Sequence, residues 1–116
     1  MNRVYLDYAA TTPLSKEILT SYSKLLEECF ANSDSIHDEG NKAGKYLKQA
    51  RKQIADLLSC KETEVIFTSG STESNNLAIK GVAFAYQNRG KHIVTSKIEH
   101  PSVIDSCRQL EEFFGF

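Results

Sequence analysis

Small and hydroxyl-bearing residues gather at one place in this chain. Ser69, Gly70, Ser71 and Thr72 stand between the apolar run Val65-Ile66-Phe67 and a helix-like run. If the apolar run is a buried strand and the helix starts near Thr72, these residues form the turn at the strand's carboxyl end. That edge is where open α/β sheets bind their ligands. The first N–H groups of a helix have no partners inside it and lie at the positive end of its dipole. Gly70 permits an unusual backbone angle and a close approach, and Ser71 and Thr72 add hydroxyl donors. Such a set can seat a phosphate group. Glu73 counts against this by adding negative charge, unless it faces aside. A plain capped turn accounts for the same residues, and on them alone the two readings stand level. A Walker loop is excluded because Asn75, Asn76 and Leu77 occupy the place of its glycine, lysine and hydroxyl residue. The dinucleotide pattern is excluded because no glycine follows Gly70 two or five residues later.

His100 is the second candidate. It follows the run Ile93-Val94-Thr95-Ser96 and precedes Pro101, a residue suited to a first helical position. Two adjacent parallel strands would bring His100 to the same sheet edge as Ser71 and Thr72. An imidazole there can hydrogen-bond, shuttle a proton or stack on a flat ring. Alone, such a histidine is more commonly a hydrogen-bonding group at a helix start. Beside a phosphate seat, it suggests a planar phosphorylated ligand. His37 and His92 lack ligand-spaced neighbours, and Cys29, Cys60 and Cys107 make neither a CxxC pair nor a disulfide framework. The cysteines read as small apolar residues, and metal is not indicated.

The elements that must position these residues follow from periodicity. Ser15 is placed as an N-cap, and Ile18, Leu19, Tyr22, Leu25, Leu26 and Cys29 form one helical stripe after it. The polar stretch Ala31 to Gly40 reads as a loop and as a boundary between an N-terminal arm and the main body. A helix from about Lys42 to Leu58 carries Lys45, Lys48, Arg51 and Lys52 on one side, read as a solvated face. Leu77 to Tyr86 is apolar on more than one face, which predicts a deeply buried helix that Gly90 breaks. Strands are expected at Val65–Phe67 and His92–Thr95. A last helix from Pro101 carries Val103, Ile104, Cys107, Leu110 and Phe114 and stops at Gly115. This alternation predicts an α/β fold with a mostly parallel sheet. A further strand is expected after Phe116, so the sequence reads as unfinished.

Composition bounds the function. The chain has 116 residues, 41% hydrophobic and 25% charged, with a net charge of -1, which fits a soluble globular domain or a piece of one. Near-neutral charge argues against bulk nucleic-acid binding. The sequence contains no apolar run long enough for a membrane span, and its first residues lack a secretory signal, so a cytoplasmic location is the expectation.

Three motifs together carry a resemblance. "YLDYAATTP" at 5–13, "FTSGSTESNNLAIKG" at 67–81 and "HIVTSKIEHPSV" at 92–103 closely resemble the cysteine desulfurases of the NifS/IscS type. These are pyridoxal-phosphate enzymes of the class V aminotransferase group. The resemblance implies the N-terminal portion of a fold type I transferase, truncated. Residues 1–38 would be an arm and helix of the smaller domain, and residues 39–116 the first part of the large cofactor-binding domain. Ser71 and Thr72 would bind the phosphate of pyridoxal 5'-phosphate. His100 would stack on its ring and assist proton movement. The "AATTP" stretch would lie near the mouth of the active site. Ser33 and Asp34 depart from the family's usual Asn-Pro-Ser-Ser pattern, and Ser71 stands where alanine is also common.

The Schiff-base lysine, the aspartate paired with the pyridine nitrogen, the sulfur-accepting cysteine and the substrate-binding arginine come later in the family. Lys80, Lys97 and Cys107 do not stand in those contexts. The implied reaction converts L-cysteine to L-alanine and leaves an enzyme persulfide. That sulfur would feed an iron–sulfur scaffold or another acceptor, from a homodimer. The chain alone is expected to be inactive, with the cofactor weakly bound or absent, and an unpaired sheet edge would favour association. Alternatives are a selenocysteine lyase or other class V aminotransferase, and a non-enzymatic dimerisation or binding module.

Overall fold

The computed structural model describes residues 3–116; Met1 and Asn2, at the start of the expected N-terminal arm, lie outside it. Four α-helices follow one another: α1 (Lys16–Glu28), α2 (Asp38–Leu58), α3 (Ser71–Tyr86) and α4 (Pro101–Phe114). A single 3-10 turn, Glu62–Glu64, stands between α2 and α3. The chain divides into two compact units, the first ending at Val65 and the second running Ile66–Phe116. None of the described helices is long and apolar enough to cross a membrane.

In the first unit, local chemistry sets each helix end. Ser15 caps α1 by accepting the Ile18 N–H at 3.3 Å, as its position in the sequence implies. The α2 helix begins earlier than its apolar periodicity suggests, because His37 Nδ1 accepts the Gly40 N–H at 3.2 Å. The loop before it is turned by Asn32, which takes the Asp34 N–H on its side chain at 3.0 Å and the Ser35 N–H on its carbonyl at 3.1 Å. Gly40 is buried against that loop, where an added Cβ would meet the Ser35 carbonyl oxygen at 2.2 Å. At the other end, Ser59 takes a left-handed conformation and the Cys60 N–H returns to the Ala55 carbonyl at 3.0 Å. The Arg51 guanidinium donates to the Val65 carbonyl and ties the chain beyond the 3-10 turn back onto α2. Nearer the N-terminus, the Tyr5 hydroxyl bonds to the carbonyls of Asp7 (3.0 Å) and Thr11 (3.2 Å) and closes the turn that contains Ala9 and Ala10.

In the second unit, α3 and α4 run side by side in the same direction. Asn75 meets Ser102 at 2.8 Å, Lys80 meets Gln109 at 2.6 Å, and the Phe84 and Phe114 rings meet edge-on with centroids 4.9 Å apart. Each contact advances along both helices together, so the two N-termini lie at one end. Leu110, on α4, is fully buried at 0% exposure. Gly115 ends α4 in the left-handed region (φ 68°), as its place in the sequence implies, and Lys91 Nζ donates to the Phe114 carbonyl at 2.7 Å.

One expectation is not confirmed and one needs correction. The predicted parallel sheet is not seen: no strand is present among the described residues. Val65 has extended backbone (φ -95°, ψ 118°), but a strand exists only through a partner's ladder of hydrogen bonds, and neither Val65–Phe67 nor His92–Thr95 has one. Nor is α3 deeply buried. Ala83 is its one buried residue, while Leu77 is 49% and Val82 61% exposed, because α4 covers only one side of it.

Leu110→Ala should therefore cost about 3 kcal/mol, as expected for a large side chain removed from a sealed position, whereas Val82→Ala should stay within about 0.5 kcal/mol. Urea unfolding followed by circular dichroism checks both. Among the glycines, Gly40→Ala should destabilise by more than about 1 kcal/mol because backbone must move. Gly81→Ala, inside α3 with nothing within 4 Å of the new carbon, should instead stabilise by about 0.5–1 kcal/mol.

Candidate functional site

Three of the four helices begin under a side-chain cap: Ser15 on α1, His37 on α2 and His100 on α4. The start of α3 differs, because Gly70 has no side chain to cap it. The first intrahelical bond there is Ser74 N–H to the Gly70 carbonyl at 3.1 Å. The N–H groups of Ser71, Thr72 and Glu73 consequently remain available at the positive end of a helix of 16 residues. The Ser71 and Thr72 side chains are exposed, and neither hydroxyl has a hydrogen-bond partner among the described residues. Gly70 does not provide the unusual angle expected of it, since its backbone is extended (φ 165°, ψ 179°). What it provides is room, because nothing lies within 4 Å of where a Cβ would stand.

The loop before α3 is held by side chains rather than by the helix. Thr68 Oγ1 donates to the Gly70 carbonyl at 3.2 Å and lies 2.7 Å from Ser74 Oγ. Glu73 turns back, and its Oε2 accepts both the Ser69 N–H and the Ser69 hydroxyl at 2.7 Å. The backbone N–H bond, followed by the hydroxyl bond, lowers the Glu73 pKa from its ordinary value. This carboxylate is thus engaged with Ser69 in the loop.

His100 stands at the start of α4. Its Nδ1 accepts the Ser102 N–H at 3.1 Å and lies 2.9 Å from Ser102 Oγ. Asn75, in the second turn of α3, donates to that same Ser102 oxygen at 2.8 Å. The first turn of α3 and the histidine therefore share one end of the helix pair, although no sheet brings them there. Asn75 and Ser102 were not singled out by sequence reasoning. A polar residue four positions after Ser71 and a serine just inside a histidine-capped helix were the available signals, but each has many ordinary explanations. No group of His, Cys, Asp and Glu among the described residues could hold a metal ion. The arrangement offers hydrogen-bond donors for a small anion and an imidazole close to them in the fold.

Comparison with known proteins adds the decisive observation. The family described as "Aminotransferase class-V" matches residues 4–116. The chain belongs to that family. Among its class V relatives, "Cysteine desulfurase IscS" of Dictyoglomus turgidum is 53% identical over 113 residues, covering 97% of this chain and 28% of the relative. The protein of the same name from Buchnera aphidicola subsp. Acyrthosiphon pisum is 53% identical over 111 residues, and that of Pseudomonas aeruginosa 50%, each covering 93% of this chain and 28% of the relative. The chain thus spans under a third of the length of these relatives. A solved "NIFS-LIKE PROTEIN" superposes with a TM-score of 0.87 at 34% identity, over 95% of this chain and 30% of that one. This class V segment therefore takes the fold of the corresponding part of that protein.

The Glu73 tether has a definite pH dependence. Its folded-state pKa lies below the ordinary carboxylate value, so the tether is complete above that ordinary value and is lost as pH falls through the lowered one. The Ser69 amide resonance should move with that acid titration, and in Glu73→Gln it should not titrate.

Proposed function

We propose that this chain is the N-terminal part of a pyridoxal-phosphate-dependent cysteine desulfurase, with the start of α3 as the seat for the cofactor's phosphate. The observation that carries the reading is the uncapped helix start itself: free N–H groups at Ser71 and Thr72, two partnerless hydroxyls, and open space over Gly70. These residues fit a phosphate, which needs several converging donors and tolerates no side chain between them. Relatives named cysteine desulfurase, matched along nearly the whole chain, support the same reading.

In this reading Ser71 and Thr72 hold the phosphate through backbone N–H and hydroxyl groups. His100 packs its ring against the flat cofactor and holds or passes a proton at a ring nitrogen. When bound, pyridoxal phosphate supplies an electron sink for bond breaking next to an amine. The reaction of the whole protein takes sulfur from L-cysteine, leaves L-alanine, and places the sulfur on an enzyme cysteine as a persulfide. The thiolate is the nucleophile that such a transfer needs. An iron–sulfur scaffold or another sulfur acceptor then receives it, and the working enzyme is a cytoplasmic homodimer.

The same proposal assigns residues 1–38 to the smaller domain and 39–116 to the beginning of the large one. Val65–Phe67 and His92–Thr95 become strands of a mostly parallel sheet once neighbouring strands are present. The extended backbone at Val65 and the likeness to the NifS-like protein support this.

The 116-residue chain by itself should release neither sulfide nor alanine from L-cysteine. It should bind pyridoxal phosphate weakly, and pyridoxal without the phosphate more weakly still. Thr72→Ala should weaken the phosphorylated ligand about tenfold, the worth of one hydrogen bond to a charged group, and leave pyridoxal unchanged. Fluorescence titration measures both. Equal binding of the two ligands, or sulfide release by the purified chain, would overturn the proposal.

A further inference from the structure

We propose that Asn75 and Ser102 are positioning residues for His100, holding its neutral imidazole as the tautomer that carries its proton on Nε2. The inference rests on the reading above for what His100 serves, but its geometry lies in the chain's own hydrogen bonds. The Ser102 backbone N–H points at His100 Nδ1 at 3.1 Å. An N–H can only donate, so Nδ1 must present its lone pair. The same nitrogen lies 2.9 Å from Ser102 Oγ, and there the hydroxyl must be the donor. With its hydrogen so committed, Ser102 Oγ has only lone pairs for its other neighbour. That neighbour is the Asn75 amide nitrogen, which donates to it at 2.8 Å. Every bond in the row has one consistent direction, from the Asn75 amide to the Ser102 hydroxyl to His100 Nδ1.

The row is sheltered where it matters. Ser102 is buried and Asn75 half-buried, so water competes poorly for the middle of it. The Ser106 hydroxyl donates to the Ser102 carbonyl at 2.7 Å, which stiffens the turn that carries the serine. Nε2, in contrast, has no partner among the described residues. The imidazole is therefore fastened at one nitrogen, and the other carries the exchangeable proton toward a ligand. Because Asn75 belongs to α3, the helix that offers the phosphate seat also reinforces the tautomer that the Ser102 backbone N–H favours. Distance alone would not link those two functions; a chain of directed donors does.

The test uses the intact chain labelled with ring-15N histidine, without cofactor, in mildly alkaline buffer. Long-range 1H–15N spectra should show His100 in the Nε2–H form. Asn75→Asp keeps the shape but removes the donor; the new carboxylate takes the Ser102 hydroxyl hydrogen and leaves Nδ1 with one donor, the Ser102 backbone N–H, in place of two. The Nδ1–H population of His100 should rise about fivefold, the weight of one ordinary hydrogen bond. Ser102→Ala should do the same, and Ser102→Thr, which keeps a hydroxyl, should restore the parent spectrum. If Ser102→Ala fails to fold, the isosteric Asn75→Asp still decides. Ring signals unchanged in Asn75→Asp, or an Nδ1–H ring in the parent chain, would refute the assignment. Since no cofactor is added, a chain that shows these changes yet binds no pyridoxal phosphate keeps the relay and loses only the cofactor reading.

Discussion

Two helices that lie parallel cannot be joined by a tight turn, because the chain must first travel back along the length of the one it has finished. For α3 that return is roughly 24 Å, at 1.5 Å per helical residue. The segment between Tyr86 and Pro101 makes it, with no strand pairing, before α4 starts beside the beginning of α3. The rest of the second unit depends on this return. It places the two positive helix ends together and sets Asn75 against Ser102. Had the helices been antiparallel, the α3 start would face the Gly115 end of α4, and His100 would lie a helix length away.

Helix ends then divide the work. A side-chain cap satisfies a helix's own N–H groups and so withdraws them from other use. His100 does this for α4, as Ser15 and His37 do for α1 and α2. At α3 the cap is missing, and the nearby carboxylate of Glu73 is bonded to Ser69 in the loop rather than to the helix start. The helix that forgoes its cap is the one with donors left for a ligand, at the cost of some local stability.

Much of this was legible along the chain. Ser15, Pro101 and Gly115 mark helix ends because capping and termination depend on a few consecutive residues. The small residues at 69–72 mark the turn into α3 for the same local reason, and three motifs in order pointed to the family. The sheet was not settled that way: Val65–Phe67 and His92–Thr95 have the composition of strands, yet pairing needs neighbours that local composition does not supply. The burial of α3 was overestimated because an apolar face shows what can be covered, not what covers it.

Sequence by itself determined that four helices form, with Ser15 as the cap of the first and Gly115 as the stop of the last, and it named Ser71, Thr72 and His100 as candidates for chemistry, since each follows from side-chain type within a few positions. Only the tertiary structure decided that Gly70 leaves space rather than a strained turn, that Glu73 is drawn to Ser69, and that Asn75 reaches Ser102 and through it His100. Those are contacts whose partners depend on how the backbone is placed. The direction of a hydrogen bond between distant residues is set by which donors and acceptors the fold brings within 3 Å or so, and no local pattern encodes that.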